Sequence, residues 1–148
     1  MALKEQLQQD VKTALRAGLK EQVQTLRMLL AAIQQHEVDS RADISDTDAL
    51  RILEKLVKQR RESAEQYTKA ERPELAEKEL QEADMLRAYL PEPLDDAALD
   101  QLIIDALAET GASSPKDMGK VMNLLRAKVQ GRADMSQVSK LVKTRLLG

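Results

Sequence analysis

Apolar residues return along this chain at intervals of three and four, the spacing that lines one face of an α-helix. Leu3, Leu7, Val11, Ala14 and Leu15 predict a first helix, which Gly18 stops. Val23, Leu26, Leu29, Leu30 and Ile33 form a second stripe, with Met28 beside it, that fades near His36. The run HEVDSRADISD is polar and unpatterned and is expected to be a loop, with Ser45 or Asp46 capping the next helix. Leu50, Leu53, Leu56, Val57, Ala64 and Tyr67 predict a long third helix. Pro73 interrupts that helix or opens a fourth, which carries Leu75, Leu80, Leu86, Tyr89 and Leu90.

Pro91-Glu92-Pro93 is the clearest boundary, because neither proline can donate a backbone hydrogen bond and Pro91 disfavours helix at Leu90. Beyond it, Asp95 or Asp96 caps a helix that buries Leu99, Leu102, Ile103, Ala106 and Leu107 and ends at Gly111. Ser114-Pro115-Lys116-Asp117 reads as a capping box with proline at the first helical position. Met118, Val121, Met122, Leu125 and Val129 face inward from the helix that follows. Gly131 closes it, Asp134 caps the last helix, and Met135, Val138, Leu141, Val142 and Leu146 complete the core. The pattern predicts an all-α protein without strand or internal repeat. It places an N-terminal domain of long helices over 1–90, a proline-containing linker over 91–94 and a small three-helix tail domain over 95–148.

Composition narrows the chemistry. There is no Phe, Trp or Cys, and the only aromatic residues are Tyr67 and Tyr89, so Leu, Ile, Val, Ala and Met must fill the core. The lack of cysteine removes disulfides and thiolate sites and fits a reducing compartment. No stretch approaches the roughly 20 apolar residues of a membrane helix, and the N-terminus lacks the apolar core of a signal peptide. The expectation is a soluble cytoplasmic protein with no membrane partner.

A catalytic site is hard to find. His36, the sole histidine, has no Glu-x-x-His pattern around it and suits a helix C-terminus, so no metal is expected. Ser113, Ser114 and Lys116 evoke a Ser–Lys nucleophile, but the capping box accounts for Ser114 and Asp117 without chemistry. Glu74, Glu77, Glu79 and Glu82 read as solubility and intrahelical pairing. No glycine-rich phosphate loop and no cofactor site are expected.

Charge is the informative signal. Over 115–148, eight bases stand against Asp117 and Asp134, a net of about +6. Over 91–114, Glu92, Asp95, Asp96, Asp100, Asp105 and Glu109 meet no base, a net of about −6. The whole chain is only −2. A polyanion is the first partner such a tail suggests, with Lys120, Lys128, Arg132, Lys140 and Lys143 as phosphate contacts. Without aromatic residues in the tail, stacking on bases is excluded and binding would follow the backbone. Asp134 at the last helix's N-terminus would repel a phosphate there. Lys55, Lys58, Arg60 and Arg61 form a second basic cluster, read as a solvated face that Glu54, Glu62 and Glu65 partly cancel.

Three stretches carry a family resemblance: TLRMLLAAI at 25–33, KQRRESAEQYTKAERPELAEKELQEADMLRAYLPEPL at 58–94, and the tail motif Gly119-x-Val121-Met122, then Gly131-Arg132-Ala133-Asp134 and Val138. The chain resembles the YqeY family, which is similar to the C-terminal region of GatB, the B subunit of the glutamine-dependent tRNA amidotransferase. The resemblance implies a helical domain followed by a three-helix tail, and a tail that meets tRNA or a tRNA-enzyme complex. The amidotransferase's catalytic cradle has no counterpart here, so the family's carbon–nitrogen ligase label reads as inherited from the full enzyme. By the same resemblance Gly119 permits close helix packing, Gly131 a left-handed terminus, Ala133 is buried and Arg132 is the motif side chain free to act. The expected function is a tRNA-associated accessory protein that is not catalytic by itself. The alternatives are a working component of a glutamine-dependent amidotransferase, or an interaction module that meets a protein through its N-terminal helices.

Overall fold

The computed structural model describes residues 3–147, and among these every regular element is helical. In chain order the helices are α1 (Leu3–Arg16), α2 (Lys20–Ser40), α3 (Asp46–Lys69), α4 (Pro73–Arg87), α5 (Asp96–Thr110), α6 (Met118–Val129) and α7 (Met135–Leu147). A 3-10 turn, Pro115–Asp117, leads into α6. The helices gather into two compact units, one ending at Leu90 and the other starting at Pro91.

In the first unit α3 and α4 form the most extensive pairing, and α1 and α2 pack as a second hairpin. The core joins Leu7 and Val11 of α1, Leu26, Leu29 and Ile33 of α2, Leu53 and Val57 of α3, and Ala83 and Leu86 of α4. In the second unit α6 packs against both α5 and α7. Its core joins Leu99, Ile103 and Ala106 with Val121, Leu125 and Val129 and with Val138, Val142 and Leu146.

The expected caps form. Ser45 Oγ accepts from the Asp48 amide at 3.1 Å, and Asp95 Oδ1 from the Ala98 amide at 2.7 Å. Asp117 and Ser114 form the reciprocal capping box, and the Ser113 and Ser114 amides hold the Asp117 carboxyl below its usual pKa. Pro73 opens α4, after Glu71 turns the chain at φ +59°. Gly131 adopts φ +83° not as a left-handed helix terminus but as the third residue of a type II turn: Gln130 before it is extended at φ −59° and ψ 125°, and the Arg132 amide donates to the Val129 carbonyl at 2.9 Å.

Several expectations are corrected. α2 does not fade at His36 but runs to Ser40, where Arg41 in the left-handed region ends it. This extra length has little apolar patterning, since Val38 is 70% exposed. It is anchored instead by Glu37, which takes a 2.7 Å ion pair from Lys4 and a 3.0 Å bond from the Ile44 amide. Those two donors hold the Glu37 carboxyl below its ordinary pKa, the Lys4 bond being the larger cause. Leu15 and Leu80 lie about half exposed at the edges of their helical stripes, and Leu141 is exposed as well. Tyr89 and Leu90 lie beyond the end of α4 but still pack on the core. There the Tyr89 hydroxyl donates to Asp10 Oδ2 at 2.6 Å. Burial first, and then this bond, push the phenol's pKa well up.

Candidate nucleic-acid interface

The tail bases sit where the packing of α6 and α7 leaves them. Both helices bury every fourth residue, Val121, Leu125 and Val129 on one and Val138, Val142 and Leu146 on the other. Lys140 and Lys143, three apart, share the side of α7 turned from that buried line. Lys120 and Lys128 are exposed on the first and last turns of α6. Lys128, Lys140 and Lys143 have no carboxylate partner among the described residues. Lys120 lends only a modest field to Asp117. Such side chains can reach a phosphate without first giving up an ion pair.

Arg132 is placed differently from expectation. Its Nε donates to the Glu92 carbonyl at 3.2 Å, and its own carbonyl accepts from the Leu94 amide at 2.9 Å. This residue therefore ties 91–94 to the turn between α6 and α7, and its side chain is not wholly free to act. Gly119 is also corrected. A Cβ there would meet nothing within 4 Å, so no helix presses against it. Ala133 is half-buried against the core. Asp134 caps α7 by accepting from the Ser136 amide at 2.9 Å, which fills the place a phosphate would need.

The unit as a whole is balanced, because residues 91–148 hold eight bases and eight acids. α5 is acidic without a base, while α6 and α7 carry the cations. Arg145 pairs with Asp100 of α5. The basic surface is thus one side of a dipolar body rather than an overall positive charge.

The second basic cluster divides. Lys55, Lys58 and Arg61 are exposed on α3, but Arg60 turns inward. Its side chain is 19% exposed and meets Glu82 at 2.8 Å and Glu79 at 3.6 Å, both from α4. It also touches the sulfur of Met28 on α2. Glu79 and Glu82 are therefore not the scattered solubilising charges expected. A signal for this was present: Leu53, Val57, Arg60 and Ala64 share one helical stripe, as do Ala76, Glu79, Ala83 and Leu86. Arg60 occupies a core position of α3, and the two glutamates border that of α4.

His36 lies 3.8 Å from Asp48 at the α2–α3 junction. Among the described residues no group of three or more His, Asp or Glu side chains is arranged to hold a metal. No described helix is long and apolar enough to cross a membrane.

A helical unit followed by a three-helix unit bearing the Gly-Arg-Ala-Asp turn defines a class, and residues 4–146 match the family described as Yqey-like protein. The chain belongs to the YqeY family. It is 30% identical over 139 residues to "Altered inheritance of mitochondria protein 41, mitochondrial" of Pyrenophora tritici-repentis, covering 92% of this chain and 76% of that protein. It is 32% identical over 139 residues to the protein of the same name from Lachancea thermotolerans, covering 89% and 74%. An uncharacterized protein of Schizosaccharomyces pombe is 38% identical over 79 residues, 53% of this chain and 64% of its own length. The chain thus spans about two thirds to three quarters of these relatives. The expectation of a cytoplasmic protein is corrected by these names, which call relatives over nearly the whole chain mitochondrial. Lack of cysteine and of a long apolar run does not separate one reducing compartment from another.

Proposed function

We propose that this chain is a non-catalytic accessory protein that docks on the phosphate backbone of tRNA, alone or within a tRNA-enzyme complex. The observation that carries the reading is the set of exposed lysines on α6 and α7, Lys120, Lys128, Lys140 and Lys143. Arg132 contributes from the intervening turn with the guanidinium nitrogens that the Glu92 carbonyl does not engage. Contacts of this kind neutralise phosphates and release counterions, so they give affinity without base preference. The acidic α5 repels the same polyanion and so favours one orientation of the three-helix unit toward RNA.

The test is anisotropy of labelled tRNA across a salt series, with double-stranded RNA of equal size as control. Binding should weaken steeply with salt. Reversing Lys128, Lys140 and Lys143 together to Glu should remove at least about tenfold in affinity and flatten the log–log salt slope by about 2–3 units, near 0.7–0.9 per phosphate contact. An unchanged affinity and slope in that triple variant would sink the proposal.

A further inference from the structure

α5 is apolar on more than the side it buries. Leu99, Ile103 and Ala106 are enclosed, and Leu102 and Leu107 are partly covered. On the other side Ala97, Gln101, Ile104 and Ala108 are all exposed, Ile104 by 39%. Their spacing of four, three and four residues stacks them in one nearly straight line along the helix. Asp96 and Asp100 flank this line on one side, Asp105 and Glu109 on the other, and α5 has no base. Asp100 is paired with Arg145, and Asp105 accepts from Gln101 Nε2 at 2.8 Å. Asp96 and Glu109 have no partner among the described residues.

The line opens at its N-terminal end into a hollow of about 460 Å³. Ala97, Leu99 and Leu141 give it an apolar floor, Asp96 and Asp100 an acidic rim, and Gln137 of α7 a neutral polar edge. A surface helix of a finished globule keeps its outer side polar. Here the outer side sets Ile104 between the alanines Ala97 and Ala108, broken by the polar Gln101, with acidic edges and an apolar-floored hollow at one end.

We propose that this face of α5 is a docking surface for a basic amphipathic helix of a protein partner. One apolar anchor of that helix fills the hollow over Leu99 and Leu141, and a second lies on Ile104, as in helix-in-groove recognition. Lysines or arginines beside the anchors meet Asp96, Asp105 and Glu109, which sets the orientation and rejects acidic helices. The inference does not depend on RNA binding, because the acidic track and the basic α6–α7 surface select partners of opposite charge.

The probe is a synthetic helix of roughly 20 residues with leucines at helical spacing and lysines on both flanks of the stripe. The full chain is titrated with it by calorimetry. One control peptide has the same residues scrambled, and another replaces lysine with glutamate. The ordered basic helix should bind, and both controls should bind at least about tenfold more weakly. Ile104→Ser with Asp105→Asn should weaken the ordered peptide by about tenfold, and Leu141→Ser should weaken it separately, with helix content unchanged in both variants. Equal binding of ordered and scrambled peptides, or wild-type affinity in the Ile104/Asp105 variant, would overturn the proposal. Sedimentation showing self-association that Ile104→Ser abolishes would also overturn it, by assigning the face to a second copy of this chain.

Discussion

Replacing Arg60 with methionine leaves Glu79 and Glu82 facing the α3–α4 seam without their cation. The two carboxylates are three residues apart on α4, so they also repel one another. Breaking a fully buried ion pair by removing one partner costs about 3–5 kcal/mol. These side chains keep about a fifth of their surface in water, 21% for Glu79 and 22% for Glu82, so solvent screens part of that penalty. Arg60→Met should therefore cost about 2–3 kcal/mol at neutral pH. In a unit of this size that lowers the melting temperature by roughly 10–20 °C. Urea denaturation followed by circular dichroism at pH 7.5 measures the loss, and a thermal melt at the same pH measures the shift in midpoint. A loss under about 1 kcal/mol at neutral pH would refute the account of Arg60 as the charge that closes this seam.

Gly131→Ala should destabilise the three-helix unit by about 1–2 kcal/mol, because a Cβ disfavours the φ of +83° there; an unchanged denaturation midpoint would contradict that strain. Tyr89→Phe removes the bond to Asp10 and should cost about 1.5–3 kcal/mol, the range for hydrogen bonds to a charged group. The raised phenol pKa adds a signature: stability from this bond is present below the unfolded tyrosine pKa and lost as pH rises toward the folded one. The wild-type advantage over Tyr89→Phe should thus shrink in alkali, and one that grows there would contradict it.

Local rules made much of the helical order legible. Capping at Ser45, Asp95 and Ser114–Asp117 depends on side chains within three residues of the amides they bind, so the chain order suffices to read it. The end of α2 was not legible, because its last turns rest on Lys4, a residue 33 positions away from Glu37. Apolar periodicity assigned too much to the core at Leu15, Leu80 and Leu141, which sit at stripe edges where a neighbouring helix decides coverage. Arg60 shows the opposite error. Its charge suggested a solvated face although its helical position matched the core stripe, and position prevailed because α4 supplies two counterions. The tail lysines were visible in composition, but the commitment of Arg132 to Glu92 requires residues 40 apart to meet.

A core built almost without rings leaves the molecule nearly dark in the near ultraviolet. Both tyrosines, Tyr67 and Tyr89, belong to the first unit, and neither lies beyond Leu90. Intrinsic fluorescence therefore watches only the α1–α4 unit melt, while far-ultraviolet dichroism sees helices from both. Any separation between those two melting curves reads out directly whether the units unfold apart, with no dye and no substitution.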